Sequence, residues 1–207
     1  MVRPILLAAA LFATAAASQS VAEDRLDAKI LDHPTAVADF SLSDDNGKAF
    51  TLEQLKGHWS LLAVGYTNCP DVCPFTMSDL DAIERALAAL PAPPPRPMVV
   101  FVAVDPARDK PVLKQWVEQF NPQFIGITGQ DSEITGLVKS IGGFYQIGKP
   151  DKTGFYVVTH SGGVSVIDPA GRMRARILLP MPPQKTAAFL AQMMQGPQAT
   201  AQANGTR

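Results

Sequence analysis

The apolar positions of this chain fall into two unbroken runs and several periodic ones. Residues 59–66 and 98–104 are almost continuously apolar, as strands buried on both faces of a sheet are. Between them Phe75, Leu80, Ile83, Leu87 and Leu90 recur at helical spacing and stop at Pro91, which predicts an amphipathic helix beginning at Pro74. The proline-rich stretch 91–97 reads as a rigid, extended surface connection. Residues 111–120 predict a helix, 124–127 a short strand, 133–141 a helix and 183–194 a last helix. Near the start, residues 37–42 and 48–50 flank an Asp44-Asp45-Asn46-Gly47 turn and predict a hairpin. Thr51 and Gln54 stand at capping-box spacing for a short helix through Lys56. Residues 154–159 and 164–168 predict a second hairpin across Ser161-Gly162-Gly163.

Strand-helix alternation followed by an antiparallel pair implies an α/β fold, a mixed central sheet flanked by helices. At 207 residues, with 46% apolar and 18% charged side chains, the chain can bury one substantial core. That domain is expected over residues 37–195, preceded by a polar, alanine-rich linker over 18–36 and followed by a disordered low-complexity tail over 196–207. Residues 1–17 read as a signal peptide: Arg3, then an uncharged run from residue 5 to 17, with small residues at Ala15 and Ala17 before the cleavage point. The run is shorter than the roughly 20 residues of a membrane span. The expected location is therefore the periplasm, soluble after cleavage, with an uncleaved anchor facing the periplasm as the alternative.

The net charge is −1, with no long basic run and no aromatic ladder interleaved with positive charge, so nucleic acid is excluded as a partner. The candidate chemistry lies in the only two cysteines, within Tyr66-Thr67-Asn68-Cys69-Pro70-Asp71-Val72-Cys73-Pro74. This segment follows a buried strand and precedes a helix, so it sits at the carboxyl edge of the sheet, where open α/β folds place ligands. A thiol at a helix start is favoured as thiolate, the form needed by a soft metal and by a nucleophile. The C-x3-C spacing suits a metal or a reversible disulfide; an inert staple is the bland alternative, and so short a loop restrains little chain entropy. A third ligand must come from His33, His58 or His160, and of these His160 ends an apolar run beside a glycine turn. Met77 shares the helical face of Cys73 but stands at core spacing. Two thiolates and an imidazole suit Cu(I), while a Cys2His zinc site with an open position remains compatible.

With these residues in view the chain resembles the SCO/SenC family of copper-binding, thioredoxin-like cytochrome c oxidase assembly proteins. The resemblance rests on Cys69-Pro70-Asp71-Val72-Cys73-Pro74, on Asp105-Pro106-Ala107-Arg108-Asp109, and on Tyr156-Val157-Val158-Thr159-His160-Ser161 followed by Ile167-Asp168-Pro169-Ala170-Gly171-Arg172. It implies a thioredoxin-like fold with an added N-terminal hairpin and a histidine-bearing hairpin. It further implies Cys69, Cys73 and His160 as metal ligands, Asp105 as an acidic residue near the site, and copper as Cu(I) with Cu(II) as a second state. Read locally, Asp105 ends the second long strand, where its carboxylate tunes the site or orients His160, or else serves as a cap or as a partner for Arg108.

Two functions then compete. One is a metallochaperone that delivers copper to the dinuclear centre of cytochrome c oxidase subunit II, or to another periplasmic copper protein, with a periplasmic thiol reductant keeping the cysteines reduced. The other is a thiol-disulfide oxidoreductase in which Cys69 and Cys73 are catalytic and reduce the cysteines of an apo acceptor. A peroxidase is disfavoured because no remote resolving cysteine exists in the chain.

Overall fold

The computed structural model describes residues 25–196; the expected signal peptide and, beyond Gly196, the expected tail lie outside them. The two apolar runs form the centre of the sheet. β4 (Ser60–Gly65), buried at all six positions, lies parallel to β5 (Met98–Ala103) in register from Ser60↔Met98 to Gly65↔Ala103. β6 (Ile125–Thr128) continues the parallel part. Beyond it the N-terminal hairpin, β2 (Ser41–Asp44) and β3 (Ala49–Thr51), pairs through β2 and closes that side. On the other side of β4 run β9 (Val164–Ile167), β10 (Arg172–Ile177) and β1 (Ala28–Ala36), all antiparallel, giving the order β1-β10-β9-β4-β5-β6-β2-β3.

Helices flank this sheet. The short α1 (Leu52–Leu55) is opened by the expected capping box, Thr51 N–H donating to Gln54 Oε1 at 2.7 Å and Glu53 N–H to Thr51 Oγ1 at 3.3 Å. α2 (Val72–Ala88) packs on the last helix, which follows α3 (Pro106–Asp109), α4 (Leu113–Glu118) and α5 (Asp131–Ser140) and is therefore α6 (Pro183–Gln195). Leu80, Ile83 and Leu87 bury the apolar face of α2, but Phe75 is 67% exposed beside the cysteine segment. Among the described residues no helix is long and apolar enough to cross a membrane.

Four expectations need correction. Residues 28–36 are a strand and not part of a linker, because the outer edge of β10 offers unpaired backbone groups that β1 takes up. Its pattern was unreadable because Pro34 lacks an N–H and the register shifts between Ile30 and Thr35. α2 starts at Val72, before Pro74, since a missing N–H costs nothing anywhere in a first turn and Pro70 stays outside the helix. The expected helix over 111–120 is the shorter α4, preceded by α3.

The histidine-bearing hairpin is present with a different partner. β8 (Val158–His160) pairs antiparallel with β7 (Tyr145–Ile147) in a separate two-stranded sheet, whereas β9 pairs with β4 and β10. Gly163 makes the switch between sheets. Its φ is 85°, and a Cβ there would sit 2.3 Å from the Ile177 carbonyl oxygen. Gly163→Ala is therefore expected to cost about 1–3 kcal/mol, read as a lower urea midpoint at unchanged slope. An unchanged midpoint would show that the turn carries no such constraint.

Candidate metal centre

The site is built where β4 stops. Gly65 ends the strand, the chain turns with Cys69 N–H donating to the Tyr66 carbonyl at 3.2 Å, and α2 then carries Cys73 in its first turn. A Cβ at Gly65 would lie 2.6 Å from Cys73 Sγ and 2.8 Å from the Phe101 ring, so the glycine leaves the room that the sulfur fills. The turn is held from below by Asp109, whose Oδ1 accepts from both the N–H and the hydroxyl of Thr67 at 2.7 Å. Its Oδ2 accepts from Asp105 N–H at 2.9 Å. Burial pushes the Asp109 carboxyl above its ordinary value, opposed by these donors.

His160, at the end of β8, completes the cluster. The sulfurs of Cys69 and Cys73 and a ring nitrogen of His160 lie within 4.8 Å of one another, the one such group of three among the described residues. Three donors bound ~2.0–2.3 Å from a shared ion in one plane stand about 3.5–4.0 Å apart, and the Cys73–His160 pair, at 3.4 Å, is already that close. Both thiols are free. His160 Nδ1 faces the Ser161 carbonyl at 3.2 Å, and a carbonyl only accepts, so Nδ1 carries the proton. Nε2 then presents its lone pair to Cys73 Sγ, 3.4 Å away. This is the tautomer a metal ligand requires.

Burial decides the charges. It pushes the Cys73 thiol well above its ordinary range and the His160 imidazole below its own. The expected pull of the helix start toward thiolate at Cys73 is outweighed by desolvation. Without a cation the pocket is therefore a neutral thiol beside a neutral imidazole.

The other expected residues fall as follows. His33, on β1, and His58 are exposed and stand apart from the cluster. Met77 is fully buried core. Asp105 is buried near the site, but its Oδ1 accepts from the Tyr156 hydroxyl at 3.1 Å and its Oδ2 pairs with Arg108, while His160 Nδ1–H donates to the Ser161 carbonyl. Tyr66, Asp109 and Tyr156 stand inside the sequence motifs without a role legible from them, and Arg108 is legible only as a partner for Asp105. Gly65 lies outside those motifs, and its signal is that it is the one glycine in an apolar run that leads into the cysteines.

Comparison with known proteins agrees with this geometry. The SCO1/SenC family model matches residues 28–195. An SCO2-like protein of Rickettsia felis is 34% identical over 159 residues, 73% of this chain and 74% of that one. Bradyrhizobium japonicum ScoI, solved with copper bound, superposes with a TM-score of 0.66 at 33% identity, over 75% of this chain and 97% of that one. Yeast Sco1, also solved with copper bound, gives a TM-score of 0.74 at 26% identity, over 84% and 96%. The fold is thioredoxin-like, as in these neighbours. With the match running from β1 through α6, the chain belongs to the SCO1/SenC family.

Proposed function

We propose that this protein is a copper carrier that binds Cu(I), and Cu(II) as a second state, through Cys69, Cys73 and His160. It would hand the ion to the dinuclear copper centre of cytochrome c oxidase subunit II or to another periplasmic copper protein. The observation that carries this reading is the convergence of two sulfurs and one nitrogen within 4.8 Å at the end of β4. Thiolates are soft donors that select Cu(I), and imidazole serves both copper states. The copper bound in two solved relatives supports the same ion. Residues 1–17 act as the export leader, and a periplasmic reductant keeps the two thiols open to the metal.

The chain's own residues do three things in this scheme. The Ser161 carbonyl holds the imidazole with Nε2 aimed at the sulfurs. The Cys73 thiol gives up its proton as Cu(I) arrives, the cation replacing the proton at sulfur. His160, the one neutral donor of the three, is the ligand exchanged for an incoming thiolate of the acceptor. The competing reductase reading draws on the same free thiols.

Two outcomes test this. Because Cys73 is protonated in the metal-free protein and ionised when it binds Cu(I), affinity should rise with pH, about tenfold per unit for each proton released. Burial pushes the His160 imidazole below its ordinary value of about 6.5, so above neutral pH it adds little proton release. Competition with a chromophoric Cu(I) chelator measures the slope, and a flat profile would contradict displacement of a thiol proton. The second test compares parent and His160→Ala, recovered from periplasmic extract so that intact mass also reads removal of residues 1–17. Transfer of copper to the apo acceptor should fall at least tenfold, while reduction of the acceptor's cysteine pair stays near the parent rate. Unchanged transfer, with only the cysteine variants failing, would replace the carrier by the reductase.

A further inference from the structure

His160 reaches the cysteines on an arm with little packing of its own. Between Tyr145 and His160 the only buried residue is Val158, while Phe155 and Val157 are 64% and 56% exposed. β7 and β8 share three residue pairs, and a two-stranded ribbon of this size is at best marginally stable in water. Tyr145 ties the base of the arm to α5 and its entry, its hydroxyl 3.0 Å from Thr135 Oγ1 and donating to Asp131 Oδ1 at 2.6 Å. Tyr145 pairs with His160 across the ribbon, so that tie stands at the ligand's end, and the far part of the arm, between Ile147 and Val158, is held by something else.

Arg108 meets the arm there. Its guanidinium lies 3.7 Å over the Tyr156 ring, its Nη1 donates to the Tyr156 carbonyl at 3.1 Å, and its Nε pairs with Asp105. The Tyr156 hydroxyl closes the loop by donating to the other Asp105 oxygen. The same guanidinium stands 5.5 Å from the Tyr66 ring, which meets the His160 ring edge-on at 5.9 Å and 82°. From Asp105 the bonding continues through its N–H to Asp109 and on to Thr67, two residues before Cys69. One connected set of contacts thus spans the chain that carries His160 and the turn that carries Cys69.

We propose that Arg108 is a positioning residue for metal binding, clasping Tyr156 so that His160 is held within reach of the two sulfurs. This rests on the ligand set of the proposed function. The planar guanidinium is what the geometry uses, because it stacks on a ring, donates to a carbonyl and pairs with a carboxylate at once. A lysine keeps the charge and loses that fork. If the arm without the clasp is closed about one-tenth of the time, the apparent affinity for an ion that needs His160 falls about tenfold. Losses of roughly 10–100-fold are typical when a group that orients a metal ligand is removed.

The experiment uses Arg108→Lys and Tyr156→Phe, the latter removing only the hydroxyl bond to Asp105, each alone and combined with His160→Ala. Two readouts are taken: amide hydrogen exchange over residues 145–161 in the metal-free reduced protein, and Cu(I) affinity by chelator competition. Arg108→Lys should exchange faster at Val158, Thr159 and His160 and bind Cu(I) at least tenfold more weakly, with Tyr156→Phe moving both readouts the same way by less. In the His160→Ala background neither substitution should lower affinity further, since the ligand it positions is gone. Unchanged exchange in the arm, or an equal affinity loss in the His160→Ala background, would overturn the clasp. A weakened His160→Ala beside an unaffected Arg108→Lys would overturn the clasp alone. Equal affinities of the parent and His160→Ala would overturn the ligand assignment and the clasp with it.

Discussion

Cys73 Sγ and His160 Nε2 lie 3.4 Å apart although 87 positions separate them in the chain, and the rest of the site is arranged around that contact. One partner stands in the first turn of α2 and the other at the end of β8, so the contact exists only because the strand that feeds α2 and the arm that carries β8 arrive at the same place. Gly65 keeps the space beside β4 free for the sulfur. Gly163 lets the chain leave the arm and re-enter the main sheet as β9. A Cβ at Gly65 would collide with the Cys73 sulfur, and one at Gly163 with the Ile177 carbonyl at the end of β10.

The electrostatics follow from the burial that this convergence imposes. A thiol and an imidazole in water near neutral pH would both titrate within reach, but here desolvation raises one and lowers the other, so the proton stays on sulfur and the ring stays neutral. Burial thus disfavours charge on both groups. A cation changes the balance, because it can stabilise the thiolate that burial penalises.

What was legible in the sequence was what local order encodes. The two apolar runs became β4 and β5, and the cysteine segment sits between β4 and α2 because a buried strand followed by an amphipathic helix can only place it there. His160 was legible as one histidine of three at a strand end, and the other two are exposed. Pairing was not legible: nothing local says that β8 joins β7 and not β9, or that a polar stretch interrupted by Pro34 will line the edge of β10. The alternation of arginines with Met173, Ala175 and Ile177 along β10 was a readable strand pattern that went unused. The Arg108 and Tyr156 contact joins residues 48 positions apart whose types are ordinary in any surface, so only coordinates reveal it.

In the proposed function His160, and not the sulfurs alone, completes the metal site. X-ray absorption at the copper edge on the Cu(I)-loaded protein, run on the parent and on His160→Ala, reads this ligand itself. Two sulfur neighbours and one nitrogen neighbour with imidazole multiple scattering are expected in the parent, with that nitrogen lost in the variant. Sulfur scattering only, identical in the two proteins, would remove His160 from the site.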